Sequence, residues 1–228
     1  IACCSENLKN NLQQFFPKLK FHVVYNGIQP ADIVSGSGKN YRVEGVTNIV
    51  IVGLFYSIDI KGYQFLLPAM RQILDKGCQA VLHIVGEGEY REHYMQMAKE
   101  LGIEKECIFY GDCPRDKVYE IVGQMDFFVS SSILECSGVS VQEAMLLGKP
   151  VLVTKSGGAN SLVTRDTAIV VDKGSTQALA EGLEEMIRRY GEFDTEKIKE
   201  YAENKFEISH ISRQYMEIFY DLACKDSK

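Results

Sequence analysis

From residue 48 onward, short apolar and β-branched runs alternate with stretches in which apolar residues return every three or four positions. The runs "NIVIVGLF", "AVLHIVGEG", "ECIFYG", "DFFVSS", "PVLVT" and "AIVVD" read as six strands. They are nearly continuous rather than alternating, the pattern that burial on both faces produces. Helical patterns fill the intervals at about 61–76, 89–101 and 115–123, and again after residue 138. This order predicts an α/β fold: a Rossmann-like, doubly wound parallel sheet of about six strands with helices on both faces. Beyond Asp172 the chain turns helical. "GSTQALAEGLEEMIRRY" opens on Ser/Thr and repeats Leu179, Leu183 and Ile187 at helical spacing, and Asp194 caps "DTEKIKEYAENKF". A last helix over about 210–224 carries Tyr215, Ile218, Phe219 and Leu222. Pro68 lies inside the first helical pattern and predicts a kink or a late helix start.

The first 30 residues read as a strand "IACC", a helix over 5–16 and a strand "FHVVYN". Residues 26–46 hold four glycines and little periodicity, so a linker is expected at 30–46, with a domain boundary near residue 30. The chain opens at Ile1 already inside an apolar run, and a preceding segment is expected.

Charge and composition narrow the function. A formal net charge of −6 supplies no basic face for nucleic acid. No apolar run approaches the roughly 18–20 residues that span a bilayer, and no signal-peptide pattern is present. The seven cysteines are odd in number and lack a CxxC pair, and the four histidines are not spaced as ligands. They read as core thiols in a reducing cytoplasm, not as a metal site.

The stretch "ECSGVSVQEAMLLGKP" (135–150) raises the candidate chemistry. Between Ser132 and Lys149 only Glu135 and Glu143 are charged. The preceding strand ends near Ser132, so Glu135 falls in the loop at the carboxyl edge, where parallel α/β sheets bind ligands. Gly138 permits close backbone approach and the helix begins at about Val139. The N–H groups of Gly138, Val139 and Ser140 then suit an anion such as phosphate. Glu143 sits one turn further on a helix apolar nearly all round. It is expected to be buried and to need hydrogen-bond donors, which sugar hydroxyls would supply. A competing reading stays open: "SVQE" is a capping box tying Glu143 to the backbone of Ser140, with Glu135 a solvated loop residue. "VGEGEYRE" holds only two glycines of a dinucleotide fingerprint, with Arg91 at the third place, and reads as a turn.

The surroundings add a resemblance. The order strand, Glu135, Gly138, Glu143-Ala144-Met145, Gly148-x-Pro150, strand, Gly157-Gly158 closely resembles the donor-binding half of family 4 glycosyltransferases, retaining enzymes of the GT-B fold. "VYNGIQ" (24–29) looks like the family's interdomain crossover, and "VGLFYSIDIKG" (52–62), "HIVGEGEYRE" (83–92) and "IFYG" (108–111) match in place and order. The resemblance implies that residues 1–30 are a remnant of an acceptor-side domain plus crossover, and that 31–228 form the nucleotide-sugar-binding domain. It implies that Glu143 holds ribose hydroxyls and Glu135 the hydroxyls of the donor sugar. Lys61 would neutralise phosphate and, with Glu135, form the catalytic pair. The amides of Gly138, Val139 and Ser140 would receive the diphosphate, and Gly53 and Gly111 would line the nucleotide. The donor would be a UDP- or GDP-sugar and the acceptor a glycan or lipid-linked sugar. No metal or further cofactor is implied, since lysine, amides and a helix terminus can do a cation's work. Family habit points to polysaccharide or glycolipid assembly, in the cytoplasm or peripherally at the inner face of its membrane. The present chain is expected to bind nucleotide without turnover, with Tyr215, Phe219 or Tyr220 of the last helix exposed toward the acceptor domain. Two positions depart from the pattern: Leu54 stands where the family has arginine, and Ser161 where it commonly has glutamate. Tyr56 or Ser57 are candidates to take over the phosphate contact. The departures keep alternatives in play: a non-catalytic sugar-nucleotide module, another GT-B enzyme such as an epimerase, and an NAD-binding oxidoreductase.

Overall fold

The computed structural model describes residues 1–29, 38–56 and 60–224. Six parallel strands form the main sheet: β3 (Thr47–Val52), β4 (Ala80–Val85), β5 (Cys107–Gly111), β6 (Phe127–Ser130), β7 (Val151–Thr154) and β8 (Ala168–Val171). Their spatial order is β5-β4-β3-β6-β7-β8, so the winding reverses at the β3/β6 boundary. The helices between them are α2 (Tyr63–Asp75), α3 (Arg91–Glu100), α4 (Arg115–Gln124), α5 (Val139–Leu146) and, after β8, α6 (Thr176–Arg189). α7 (Thr195–Phe206) and α8 (Ile208–Ala223) complete the helical C-terminus.

Strand β3 explains the two-layer core. Ile49 and Ile51 face a cluster with Leu66, Met70 and Leu183, while Val50 faces Val141, Met145 and Val153 on the other side. All of these are fully or nearly fully buried, each contributing about 1.5–3 kcal/mol of transfer free energy. That two-sided burial is why the strands carry no polar alternation.

Several expectations need correcting. α2 begins at Tyr63, five residues before Pro68, so the proline does not delay the helix. The two N-terminal strands shrink to β1 (Ala2–Cys3) and β2 (His22–Val23), with α1 (Glu6–Phe15) between them. Only the pairs Ala2–His22 and Cys3–Val23 are made, and strand length follows the partner rather than the apolar run. The expected linker at 30–46 falls partly outside the described residues, but its second half is tied down. Tyr41 N–H donates to Gln124 at 2.8 Å, Arg42 pairs with Asp126 at 2.9 Å, and Val43 N–H donates to Asn48 at 2.8 Å. Cys3 and Cys107 are core thiols as expected, whereas Cys136 and Cys224 are exposed because they sit in a loop and at the end of α8.

A buried polar network runs from the amino edge into the sheet. The Asn48 amide donates to the carbonyls of Val43 and Val46, so its Oδ1 accepts from His83 Nε2 at 3.0 Å. His83 Nδ1 therefore accepts from the Tyr110 hydroxyl at 2.8 Å. Burial, and secondarily the nearby Arg42, pull the His83 pKa down to about 4. Ile28 is bracketed by the α7–α8 junction: its N–H donates to Phe206 and its carbonyl accepts from Ile208, both at 2.9 Å. Among the described residues no helix is long and apolar enough to cross a membrane.

Candidate functional site

The carboxyl edge gathers the predicted residues around the first turn of α5. Both α2 and α5 open on a glycine in the left-handed region, Gly62 at φ +72° and Gly138 at φ +69°, with no side-chain cap. A Cβ at Gly62 would lie 2.0 Å from the Ser131 carbonyl oxygen, which fixes the start of α2 against the end of β6. Lys61 is thereby held beside the Glu135 loop, and its Nζ lies 2.8 Å from Glu135 Oε2. The pair is mostly shielded, with the lysine side chain 28% and the glutamate 16% exposed. The loop itself is fixed by backbone bonds from Glu135 N–H to Ser156 and by the bridge Glu135–Gly157.

The amides of α5 are not all open. Glu135 Oε1 accepts a long bond from Gly138 N–H at 3.4 Å, so the expected anion site is partly satisfied by the loop's own carboxylate. Val139 and Ser140, as the first residues of the helix, direct their N–H groups outward without intrahelical partners. The capping box does not form. Glu143 turns away from Ser140 to the neighbouring helix, where its Oε1 accepts from the Tyr119 hydroxyl at 2.8 Å and from Arg115 Nη2 at 2.9 Å. The expected full burial is also relaxed, for the Glu143 side chain is 17% exposed. Protein donors meet the need of this carboxylate on one oxygen.

Arg115 and Tyr119 escaped sequence reading because they lie on α4, far from Glu143 along the chain. One signal was available: an arginine in the first turn of a helix opposes the macrodipole and wants an acidic partner. The guanidinium also covers the Tyr119 ring, 5.3 Å from its centroid, and bonds its hydroxyl through Nε. Burial, with the bond to Glu143 adding to it, pushes the Tyr119 pKa up to about 12, so its hydroxyl remains a donor at neutral pH. Arg115 is raised on balance: partial burial opposes its charge, and Tyr119 and Glu143 outweigh it.

Gly53 follows β3 beside Lys61, and a Cβ there would meet the Tyr63 hydroxyl at 3.2 Å and the Lys61 side chain at 3.6 Å. Gly111 closes β5 at φ +71° next to Glu87, on the far side of β4. Gly86 and Gly88 are needed for packing: a Cβ on either would strike the backbone of Gly53 or Phe55. Leu54 and Tyr56 are exposed; Ser57 lies outside the described residues. The Ser161 hydroxyl donates to the Gly158 carbonyl at 2.6 Å, closing its own turn. Among the described residues no group of three His, Cys, Asp or Glu is placed to hold a metal ion. A cleft of about 560 Å³ lies at the amino edge beside Arg165 and Tyr201, but Arg189 and Lys197 in its wall are paired with Glu192 and Asp194.

The sequence pattern that defines the glycosyl transferases group 1 family matches residues 45–205, the whole sheet and the helices around it. The chain belongs to this family. It is 28% identical over 234 residues to an uncharacterized glycosyltransferase of Methanocaldococcus jannaschii, a match covering 96% of this chain and 59% of the relative. Among solved structures, sucrose-phosphate synthase of Thermosynechococcus elongatus superposes with a TM-score of 0.85 at 18% identity, over 98% of this chain and 58% of that one. Anabaena HepE, solved in complex with UDP, superposes with a TM-score of 0.81 at 22% identity, over 96% of this chain and 63% of that one. The family member described here thus spans about three-fifths of the length of the proteins it matches, and its sheet corresponds to one half of a GT-B fold.

Proposed function

We propose that this chain is the donor-binding part of a retaining glycosyltransferase that moves a sugar from a nucleotide diphosphate sugar to a glycan or lipid-linked acceptor. The observation that carries the reading is the pair of carboxylates flanking the first turn of α5, Glu135 in the loop before it and Glu143 just after it. Glu135 and Glu143 are each held by a cation, Lys61 or Arg115, beside a helix N-terminus without a side-chain cap. In this reading Glu143 accepts from the ribose hydroxyls. The diphosphate lies over the N–H groups of Gly138, Val139 and Ser140 and against Lys61, with Gly53 and Gly111 keeping the nucleotide's path clear of side chains.

The Lys61–Glu135 ion pair gives the cycle a physical logic. Without donor, Glu135 occupies both Lys61 and the Gly138 N–H, the same groups a diphosphate would use. An arriving diphosphate carries more charge and displaces it. Glu135 is then free to accept from the donor sugar's hydroxyls, while Lys61 and the amides stabilise charge that grows on the leaving diphosphate. Residues 1–30, with the β1–α1–β2 unit, belong to the acceptor-side domain and crossover, and 31–228 to the donor domain. The exposed Tyr215, Phe219 and Tyr220 on α8 face that acceptor side. The exposed Leu54, in place of a cation, favours one second reading, a nucleotide-sugar-binding module without turnover; transfer assays on the full-length protein separate the two.

Thermal denaturation with UDP, GDP, ADP and NAD, on wild type and Glu143→Ala, tests the reading. A ligand at 100 times its Kd stabilises by about 2.7 kcal/mol. For a chain of this size the midpoint then rises by roughly 5–10 °C. The expected result is a rise with one nucleoside diphosphate that Glu143→Ala abolishes. A rise with NAD alone, or with none of the four, overturns the proposal.

A further inference from the structure

Glu143 carries more protein donors than its proposed task requires, and all of them reach the same atom. Tyr119 Oη and Arg115 Nη2 both donate to Oε1, at 2.8 and 2.9 Å. The Tyr119 hydroxyl in turn accepts from Arg115 Nε. Each polar hydrogen in this triangle therefore has one direction: guanidinium to phenol, phenol and guanidinium to carboxylate. Oε2 is bonded by neither residue. The tyrosine is buried at 1% exposure and fixed by packing on α4, so Oε1 is clamped and the carboxylate plane is set.

We propose that Tyr119 and Arg115 are positioning residues that commit Oε1 of Glu143 to the protein and present Oε2 to the ribose of the nucleotide. The inference rests on the donor-site reading above and adds the device by which that site distinguishes a ribonucleotide from a deoxyribonucleotide. A carboxylate free to rotate offers its lone pairs over a wide arc. One clamped on Oε1 offers a single direction, and a ribose hydroxyl placed there makes a bond that an analogue lacking it cannot. Loss of the clamp should then cost affinity only where the hydroxyl exists. A merely structural role would weaken all nucleotides alike.

Calorimetric titration of the full chain with UDP, GDP and ADP, and with their 2′-deoxy and 3′-deoxy forms, reads this directly. Wild type, Tyr119→Phe and Arg115→Gln are compared; the arginine is exposed, so its variant keeps the test open if the buried tyrosine variant folds poorly. Each variant is expected to bind the preferred ribonucleotide about fivefold more weakly, the worth of one hydrogen bond. Its affinity for at least one deoxy form should stay within twofold of the wild-type value for that form. Equal weakening of ribo and deoxy forms, or no weakening at all in either variant, overturns the inference while leaving the donor site standing. Failure of the wild type to bind any of the three ribonucleotides overturns the donor-site reading, and this inference falls with it.

Discussion

The two edges of the six-stranded sheet treat polar atoms in opposite ways. At the amino edge they are spent on the protein itself. The Asn48 side chain makes two donations and two acceptances, Asp126 takes Arg42 and the Asn48 N–H, and the Thr167 hydroxyl bonds the backbone of Thr164 on both sides. At the carboxyl edge α2, α3, α4 and α5 start without a side-chain cap, whereas α6, which follows the last strand of the sheet, starts on Ser175, as α1 and α7 start on Ser5 and Asp194. A cap stabilises a helix by about 1 kcal/mol, so four missing caps are a real cost unless a ligand takes their place. One edge is closed by its own residues, and the other is left to be filled.

The largest expected break of that contrast comes from Gly62→Ala. The new Cβ would fall 2.0 Å from the Ser131 carbonyl oxygen in a backbone region that disfavours alanine by about 1–2 kcal/mol. Strain and clash together should cost at least about 3 kcal/mol, a drop of roughly 6–12 °C in the thermal midpoint. A drop under 3 °C would show that the start of α2 is not fixed by Ser131.

Next in size is a pH effect confined to the closed edge. His83 is neutral in the fold down to a pKa of about 4, while in the unfolded chain it titrates near 6.5. Between those values only the unfolded chain takes the proton. Stability is therefore level above pH 6.5 and falls by about 3 kcal/mol as the pH drops toward 4. Urea midpoints of wild type and His83→Gln from pH 7.5 to 4.5 isolate this part, since the glutamine variant lacks it; parallel curves would place the acid sensitivity elsewhere. The smallest effect is Ser175→Ala. Loss of the bond from the Ala178 N–H should lower stability by about 1 kcal/mol, or 2–4 °C, and leave the nucleotide-induced rise unchanged. A change in that rise would mean that α6 is coupled to the site.

Much of this architecture could be read from local pattern. The six apolar runs became six parallel strands, and Ser5, Ser175 and Asp194 cap the helices their positions announced. Glu135, Gly138 and Lys61 converge because the α/β rule for ligand sites is itself local to strand ends. What escaped depends on contacts across the fold. "SVQE" offered a capping box, yet a left-handed Gly138 and donors from α4 redirected Glu143. Nothing near "PRDKVYE" reveals which carboxylate Arg115 meets. "FHVVYN" is apolar enough for a longer strand, but a strand extends only as far as its neighbour, and β1 is two residues long. The fate of 41–46 turned on the amino-edge polar cluster, which periodicity does not describe.

The clasp at Ile28 has a kinetic meaning. Two backbone bonds join a residue near the beginning of the chain to the α7–α8 junction near its end, enclosing the entire sheet in one loop. Closing so long a loop is entropically costly and waits for the intervening contacts to form. The clasp is therefore expected to form late in folding. Ile28 and Phe206 pack in one cluster with Val141, Ala144 and Met145 of α5, so this last closure also completes the packing behind the site helix.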